Sequence, residues 1–545
     1  MNFAYSRKTY DFKDRSIERA MEILPGALSW CIILFMFILS FTRPLVAAIL
    51  IIAFELYWIL RLFYMNIFLV LSYFRLAFEK DTNWLERIKG ISNLKEYALS
   101  LENTPWPDTL KEKISWFAHR KEIKALMKSG APSPDFNDIY QLIIIPIAKE
   151  GAAVVEPAII SLAKSNFPKK RMIVILSVEE TAPEEIKKGI LLLEKKYSGN
   201  FFHLTAIIHP SGLPGEAKVK GANATYAAKK ALEFLDNHNI PGENVIVSCF
   251  DADTVVNPEY FSCLSYYFII TPNRLRSSFQ PIPVYHNNIW QAPALSRVLD
   301  IGSSFFQLVE ATNPEKLVTF SSHSMSFKAL VDVNYWPVDM ISDDSAIFWK
   351  SFIHFDGDYT VVPMYVTVSM DITVGDNWWK TLVSVYKQKR RWAWGVENFP
   401  IVVRAFLKSR KIPLRKKMEH GFKLLEGNIS WATWPFLLGI IGWLPALLAE
   451  REFSHSIVYY SAPRIKGTIF SLASIGLFSC ILLSLLLLPK KEREPKLFQK
   501  ITHTLEWLLV PVISVFLSAI PALDAQTRLM FARYIEFWVS SKKRD

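Results

Sequence analysis

Apolar residues along this chain follow two regimes. Near both ends they run unbroken on every face, whereas in the middle they come as short β-branched bursts between amphipathic stretches. A helix that crosses a bilayer needs about 20 mostly apolar residues. Residues 23–41 meet that length, and 44–60 nearly do, with an apolar continuation to Phe74. At the other end the runs are 429–449, 467–488 and 507–523. The 467–488 run carries no charge, and helices of a soluble core rarely stay apolar all round for so long. Glu55 and Arg61 interrupt the second run, either as functional intramembrane groups or as side chains that reach back to the interface.

In the middle the period changes. Residues 141–146, 172–176 and 244–250 are short, continuously apolar runs, and 157–165, 183–196 and 222–237 between them have helical spacing. Buried strands alternating with amphipathic helices predict βαβ units on a parallel sheet. In such sheets the ligand crevice lies off the carboxyl ends of the strands. The third run leads straight into Asp251-Ala252-Asp253. Upstream, residues 79–137 mix charged and aromatic positions, with breaks at Pro105, Pro107, Pro132 and Pro134. Within them 111–127 has amphipathic spacing around Ile114, Phe117 and Ile123. The expected organisation is an N-terminal arm with two membrane helices (1–76), a helical linker (77–137), an α/β domain (138–400), an interfacial segment (401–428), about three membrane helices (429–525) and a tail (526–545).

Charge sharpens this picture. The chain has 545 residues, 51% of them hydrophobic, and 63 Lys and Arg against 51 Asp and Glu. Its mean hydropathy of +0.18 is high for a soluble protein. The basic excess sits beside the apolar runs, at Arg7, Lys8, Lys13, Arg15 and Arg19 and again at Lys490, Lys491, Arg493, Lys496 and Lys500. That placement points to cytoplasmic loops facing anionic membrane lipids, not to nucleic acid. It predicts a multi-pass protein of a bacterial-type plasma membrane with its α/β domain in the cytoplasm. Counting crossings then puts Lys542, Lys543 and Arg544 outside, against the charge rule, unless one run is re-entrant or a further crossing exists. Cys31, Cys249, Cys263 and Cys480 form no CxxC pair, so neither zinc nor a disulfide framework is implied.

Three polar clusters carry candidate chemistry. Asp251 and Asp253 after a buried strand suit Mg²⁺ or Mn²⁺ bridging the phosphates of a nucleotide, although Asp-x-Asp is equally at home in a solvated turn. Asp343-Asp344 precede an apolar helical run; they are first-turn charges, a base presented at a helix end, or both. Gln388, Arg391 and Trp392 lie in a basic cluster that either neutralises a diphosphate beside a sugar-stacking ring or is a juxtamembrane patch.

Taken together and in this order, over residues 141–398, these motifs resemble the family 2 glycosyltransferases, in particular the membrane-embedded cellulose-synthase and hyaluronan-synthase-like group. The family's DxD stands here as Asp251-Ala252-Asp253, its Thr-Glu-Asp as Ser342-Asp343-Asp344, and its Gln-x-x-Arg-Trp as Gln388, Arg391 and Trp392. The stretch from Lys218 to Asn223 is similar to its Lys-x-x-x-x-Asn segment, and Gln280 falls in a match to its strand after the metal site. The resemblance implies an α/β domain of GT-A fold set between transmembrane helices. It implies donor binding by Lys218, Asn223, Asp251, Gln280 and Arg391, and metal binding by Asp251 and Asp253 with Mg²⁺ or Mn²⁺. Asp344 would be the base, with Asp343 beside it, and Gln388 and Trp392 would hold the acceptor. His323 either lines that pocket or is a hydrogen-bonded structural histidine.

The implied reaction is inverting transfer from a UDP- or GDP-sugar to a growing glycan. Transfer to a lipid-linked acceptor is the alternative within the same chemistry, and an inactive membrane partner or transporter is the alternative from another class. Two departures from the family pattern bear on specificity. The turn after the second run is Ser177-Val178-Glu179-Glu180, which leaves the nucleotide open, and Thr319 to His323 replace the acceptor-side motif of cellulose synthases.

Overall fold

The structure, a computed structural model, describes residues 3–8, 11–91, 93–130, 133–448, 457–489 and 497–538. Pro132, Ala449, Lys490, Lys491, Arg493, Lys496, Lys542, Lys543 and Arg544 lie outside them.

The middle of the chain folds around one mixed eight-stranded sheet: β1 (Tyr140–Ile147), β2 (Met172–Glu179), β3 (His203–His209), β4 (Val245–Cys249), β5 (Val255–Val256), β6 (Ser277–Val284), β7 (Ser324–Ser326) and β8 (Thr360–Ser369), in the order β3-β2-β1-β4-β7-β6-β8-β5. The first four strands are parallel, as the βαβ pattern predicts. The sheet as a whole is not, because β7 runs antiparallel between β4 and β6 and β5 runs antiparallel beside β8. The continuous apolar runs arise because this sheet is covered on both faces. Ile143, Ile145 and Ile147 of β1 pack with Val155, Ile159 and Leu162 of helix Ala152–Ala163. Leu142 and Ile144, pointing the other way, pack with Ala224, Ala227, Ala228 and Ala231 of helix Lys220–Asn237. The antiparallel β7 brings its leading loop, residues 319–323, to the carboxyl end of β4, where the Cys249 amide donates to the His323 carbonyl.

Among the described residues four helices are long and apolar enough to cross a membrane: Phe12–Thr42, Pro44–Glu79, Leu414–Leu447 and Thr504–Met530. The 31-residue helix Ile457–Leu487 carries a further apolar stretch, Ser471–Leu487. Expected segments 401–428 and 429–449 do not meet at a break at 428/429, since helix Leu414–Gly439 runs through that point. The ionisable pair in the second apolar run is held by protein. Arg61 pairs with Glu426 of helix Leu414–Gly439 and lies over the Trp58 ring, and Glu55 is buried. Gly26 lets helix Phe12–Thr42 approach Ile520–Met530 closely, since a Cβ there would stand 2.9 Å from the Gln526 carbonyl oxygen.

Candidate functional site

Three pieces of backbone converge at the carboxyl edge of β4. The strand ends and the chain turns through Asp251, Ala252 and Asp253. Asp253 is buried, and its carboxylate accepts the Asp371 amide at 2.8 Å just beyond β8, while its carbonyl accepts from Asn287. Asp251 stays partly exposed and accepts from the Ser321 hydroxyl. Ser322, in the left-handed region at φ 60°, is held there by its hydroxyl, which bonds Thr254 at 2.8 Å.

Asp343 and Asp344 open helix Asp343–His354, whose first turn faces the same edge. One ammonium links the two acidic motifs: Lys220 Nζ lies 2.7 Å from Asp251 Oδ1 and 3.1 Å from Asp344 Oδ1. Burial disfavours its charge, but Asp251 and Asp344 outweigh that and hold the Lys220 pKa well above its ordinary value. Lys220 is the first residue of helix Lys220–Asn237, and Gly221 next to it makes room for the turn before Asp343. A Cβ at Gly221 would overlap the Pro337 carbonyl oxygen and stand 3.0 Å from Asp343 Cβ.

The two neighbouring acids differ sharply. Asp343 is buried, and desolvation together with the Asp344 charge raises its pKa to about 8. Asp344 keeps 27% of its side-chain surface. The turn that carries them is gripped by buried Glu397, which accepts the Ile341 and Ser342 amides at 3.0 and 2.9 Å, the Ser342 hydroxyl, and the Trp394 indole.

The remaining sequence candidates fall into two groups. Trp392 and Gln280 border the site. The Trp392 ring meets Phe320 edge-on at 5.7 Å, and Lys389 Nζ lies 3.6 Å from its centroid. Gln280 is buried and accepts the Phe320 amide at 2.7 Å, so it shapes the 319–323 loop. Arg391 stacks on Phe537, and its Nε has no hydrogen-bond partner among the described residues. Gln388 is buried, and its Oε1 has no hydrogen-bond partner among the described residues.

Lys218 and Asn223 sit elsewhere than expected, whereas His323 matches its reading as a hydrogen-bonded structural histidine. Lys218 is exposed in the loop before the helix, and Lys220 two residues on occupies the space between the carboxylates. Asn223 is buried and donates to the Ser177 carbonyl of β2, which makes it a link between helix and sheet. His323 is buried, with Nδ1 3.1 Å from the Phe320 carbonyl and 4.0 Å from Asp344. Burial lowers its pKa to about 4, so it is a neutral imidazole. Sequence reasoning missed Lys220, Ser321, Glu397 and Phe537. A lysine opening a helix next to a glycine was the available signal for the first, and none marked the others.

Asp251 and Asp253 offer hard oxygen donors at one strand end, a set suited to a divalent cation that completes its shell with water and substrate phosphate. Among the described residues no group of three or more His, Cys, Asp or Glu gathers as a self-contained metal site.

No protein-family model matches the chain, and no curated protein does. Solved structures with similarity include a mannosyltransferase from Pyrobaculum calidifontis in complex with GDP-mannose and Mn²⁺, at 13% identity and TM-score 0.40, covering 76% of this chain and 99% of that one. Another is TarS of S. aureus, residues 1–349 with UDP, at 12% identity and TM-score 0.34, covering 65% of this chain and 93% of that one. At these scores the likeness does not bear on this chain's chemistry.

Proposed function

We propose that the chain is a membrane-bound inverting glycosyltransferase that moves a sugar from a nucleotide-sugar donor to a growing glycan. The observation that carries this reading is the Lys220 ammonium spanning Asp251 and Asp344, which joins a donor-side carboxylate to a helix-end carboxylate far away in sequence. Asp344, partly exposed at a helix N-terminus, takes the proton of the incoming hydroxyl at a carboxylate oxygen. Buried Asp343, kept protonated, leaves that role to its neighbour.

Lys220 and Arg391 supply fixed positive charge where the diphosphate leaves, and donors held in place before reaction need no reorganisation. Trp392 offers an aromatic face to the acceptor sugar, braced by Phe320. Asp251 and Asp253 would hold Mg²⁺ or Mn²⁺, which when bound supplies further electrophilic charge for the diphosphate. With an α-linked donor, direct displacement gives a β-linked product.

Nucleotide release tests this. Purified full-length protein in nanodiscs is supplied with UDP- and GDP-sugars and Mg²⁺ or Mn²⁺, and any product is sized. Release from one donor, abolished by chelator, with a long product is the expected result. A short, lipid-extractable product moves the acceptor to a lipid carrier. No release from any donor, with lipid acceptors added, overturns the enzyme reading.

A further inference from the structure

Away from the acidic site, on the side of the membrane helices that carries the α/β domain, lies a cavity of about 730 Å³. Its walls come from three parts of the chain: Arg7 and Lys8 of the N-terminal arm, Arg15 and Arg19 of helix Phe12–Thr42, and Tyr534 beyond Ile520–Met530. Glu18 and Glu22 also face it, so four cations meet two acids. Both acids are engaged, Glu18 from outside the cavity and Glu22 by residues of its own wall. Glu18 pairs with buried Arg404, and Glu22 accepts from Arg19 and from the Tyr534 hydroxyl at 2.8 Å. The volume is that of an ordinary small-ligand site. Arg19 is taken up by Glu22 and by the Leu529 and Met530 carbonyls, so the surplus positive charge rests on Arg7, Lys8 and Arg15, and it favours an oxyanion with several acceptor oxygens, of which phosphate is the best fit.

Position narrows the ligand. Arg15 and Arg19 lie one helical turn apart, immediately before the apolar run that begins at residue 23, which sets the cavity at head-group depth. The arm on its other side continues into the candidate active site. The Ser6 hydroxyl donates to Asp339 at 2.6 Å, and the Tyr5 hydroxyl donates to Asn398 at 2.7 Å. Asn398 in turn donates to the hydroxyls of Ser342 and Ser345, which flank Asp343 and Asp344.

We infer that this cavity binds a phosphate group, and that the bound phosphate clamps the N-terminal arm against helix Phe12–Thr42 and so steadies the turn before Asp344. The phosphate belongs either to an anionic phospholipid or to a soluble phosphate compound. Binding itself does not depend on the glycosyltransferase reading.

The test uses detergent-solubilised full-length protein titrated with short-chain phosphatidylglycerol, short-chain phosphatidylcholine and inorganic pyrophosphate, followed by thermal shift and amide hydrogen exchange. Saturable binding of phosphatidylglycerol but not phosphatidylcholine, weakened roughly 30-fold in R7Q/R15Q as expected for two lost cation contacts, supports the site with a lipid source. Pyrophosphate binding with the same loss supports it with a soluble source. Arg15→Lys, which keeps the charge and loses the fork, should weaken binding less than Arg15→Gln, and Lys13→Gln, an exposed cation outside the cavity wall, should leave it unchanged. Slower exchange on binding is expected in residues 3–8 and 339–345. Binding that is equal in R7Q/R15Q, or no binding of either phosphate compound, overturns the site. Binding without slower exchange in residues 3–8 overturns the clamp.

Discussion

At the residue scale, Asp343 and Asp344 are adjacent in sequence but differ in surroundings, and the roles proposed for them rest on that difference. Asp344→Asn keeps the shape and removes the proton acceptor; transfer should fall by about 10²–10⁴-fold while donor binding, measured by calorimetry, stays nearly constant. Full activity in this variant would place the base elsewhere. Asp343 makes a prediction in stability. Its folded pKa, about 8, lies above its unfolded value, so the folded chain holds a proton that the unfolded chain releases. Stability from this group is present below the ordinary carboxylate range and is lost as pH rises toward about 8. Asp343→Asn should therefore flatten the fall in unfolding temperature between acidic and mildly alkaline pH; an unchanged slope would show that the carboxyl is not buried and neutral. His323 acts in the opposite direction. Its folded pKa of about 4 lies below the ordinary imidazole value, so its contribution is lost as pH falls through that interval.

At the element scale, the site depends on how closely helix Lys220–Asn237 approaches the turn before helix Asp343–His354. Gly221 sets that distance. Gly221→Ala would force the Pro337 carbonyl and Asp343 apart from the helix, at about 1–3 kcal/mol, and would separate Lys220 from Asp344. Lower denaturant stability together with lower turnover is expected, whereas a variant with normal turnover would show that the Lys220 bridge is dispensable. Glu397 holds the same turn from behind through two amides and a hydroxyl. Glu397→Gln points a donor at donors, so kcat should drop with little change in KM for the donor sugar. Strands β1, β2 and β4 were legible, because unbroken β-branched runs mark strands covered on both faces. The antiparallel β7 was not. It is three residues long, and its placement follows from pairing with β4 and β6, not from any local pattern.

At the scale of the whole molecule, the α/β domain is joined to the terminal helices by charge as well as chain. Arg390 of helix Trp378–Ala393 lies 3.0 Å from Asp524 of helix Ile520–Met530, and Tyr386 donates to the same carboxylate. The pair is about one-fifth exposed, so its coupling should be modest, about 1 kcal/mol. A double-mutant cycle of Arg390→Gln and Asp524→Asn, read by thermal unfolding in detergent, should show non-additivity of that order. Strict additivity would mean that the two helices are coupled by packing alone. The Arg391 contact with Phe537 adds a second tie, from the residues beyond the last helix to the basic cluster.

The sequence by itself determined the long apolar segments, the βαβ core and the acidic and basic motifs. These follow from local rules: the length of an apolar run, the period of side-chain burial, and the residue types that suit a strand end or a helix start. Only the tertiary structure decided that Lys220 and not Lys218 stands between the carboxylates, that Asn223 holds a strand carbonyl, that Asp343 is buried while Asp344 is not, and that Glu397 and Phe537 reach the site at all. Each depends on which surfaces meet. A helix start displaced by two residues changes the lysine, and desolvation by distant side chains separates two neighbouring acids that a linear pattern leaves equivalent.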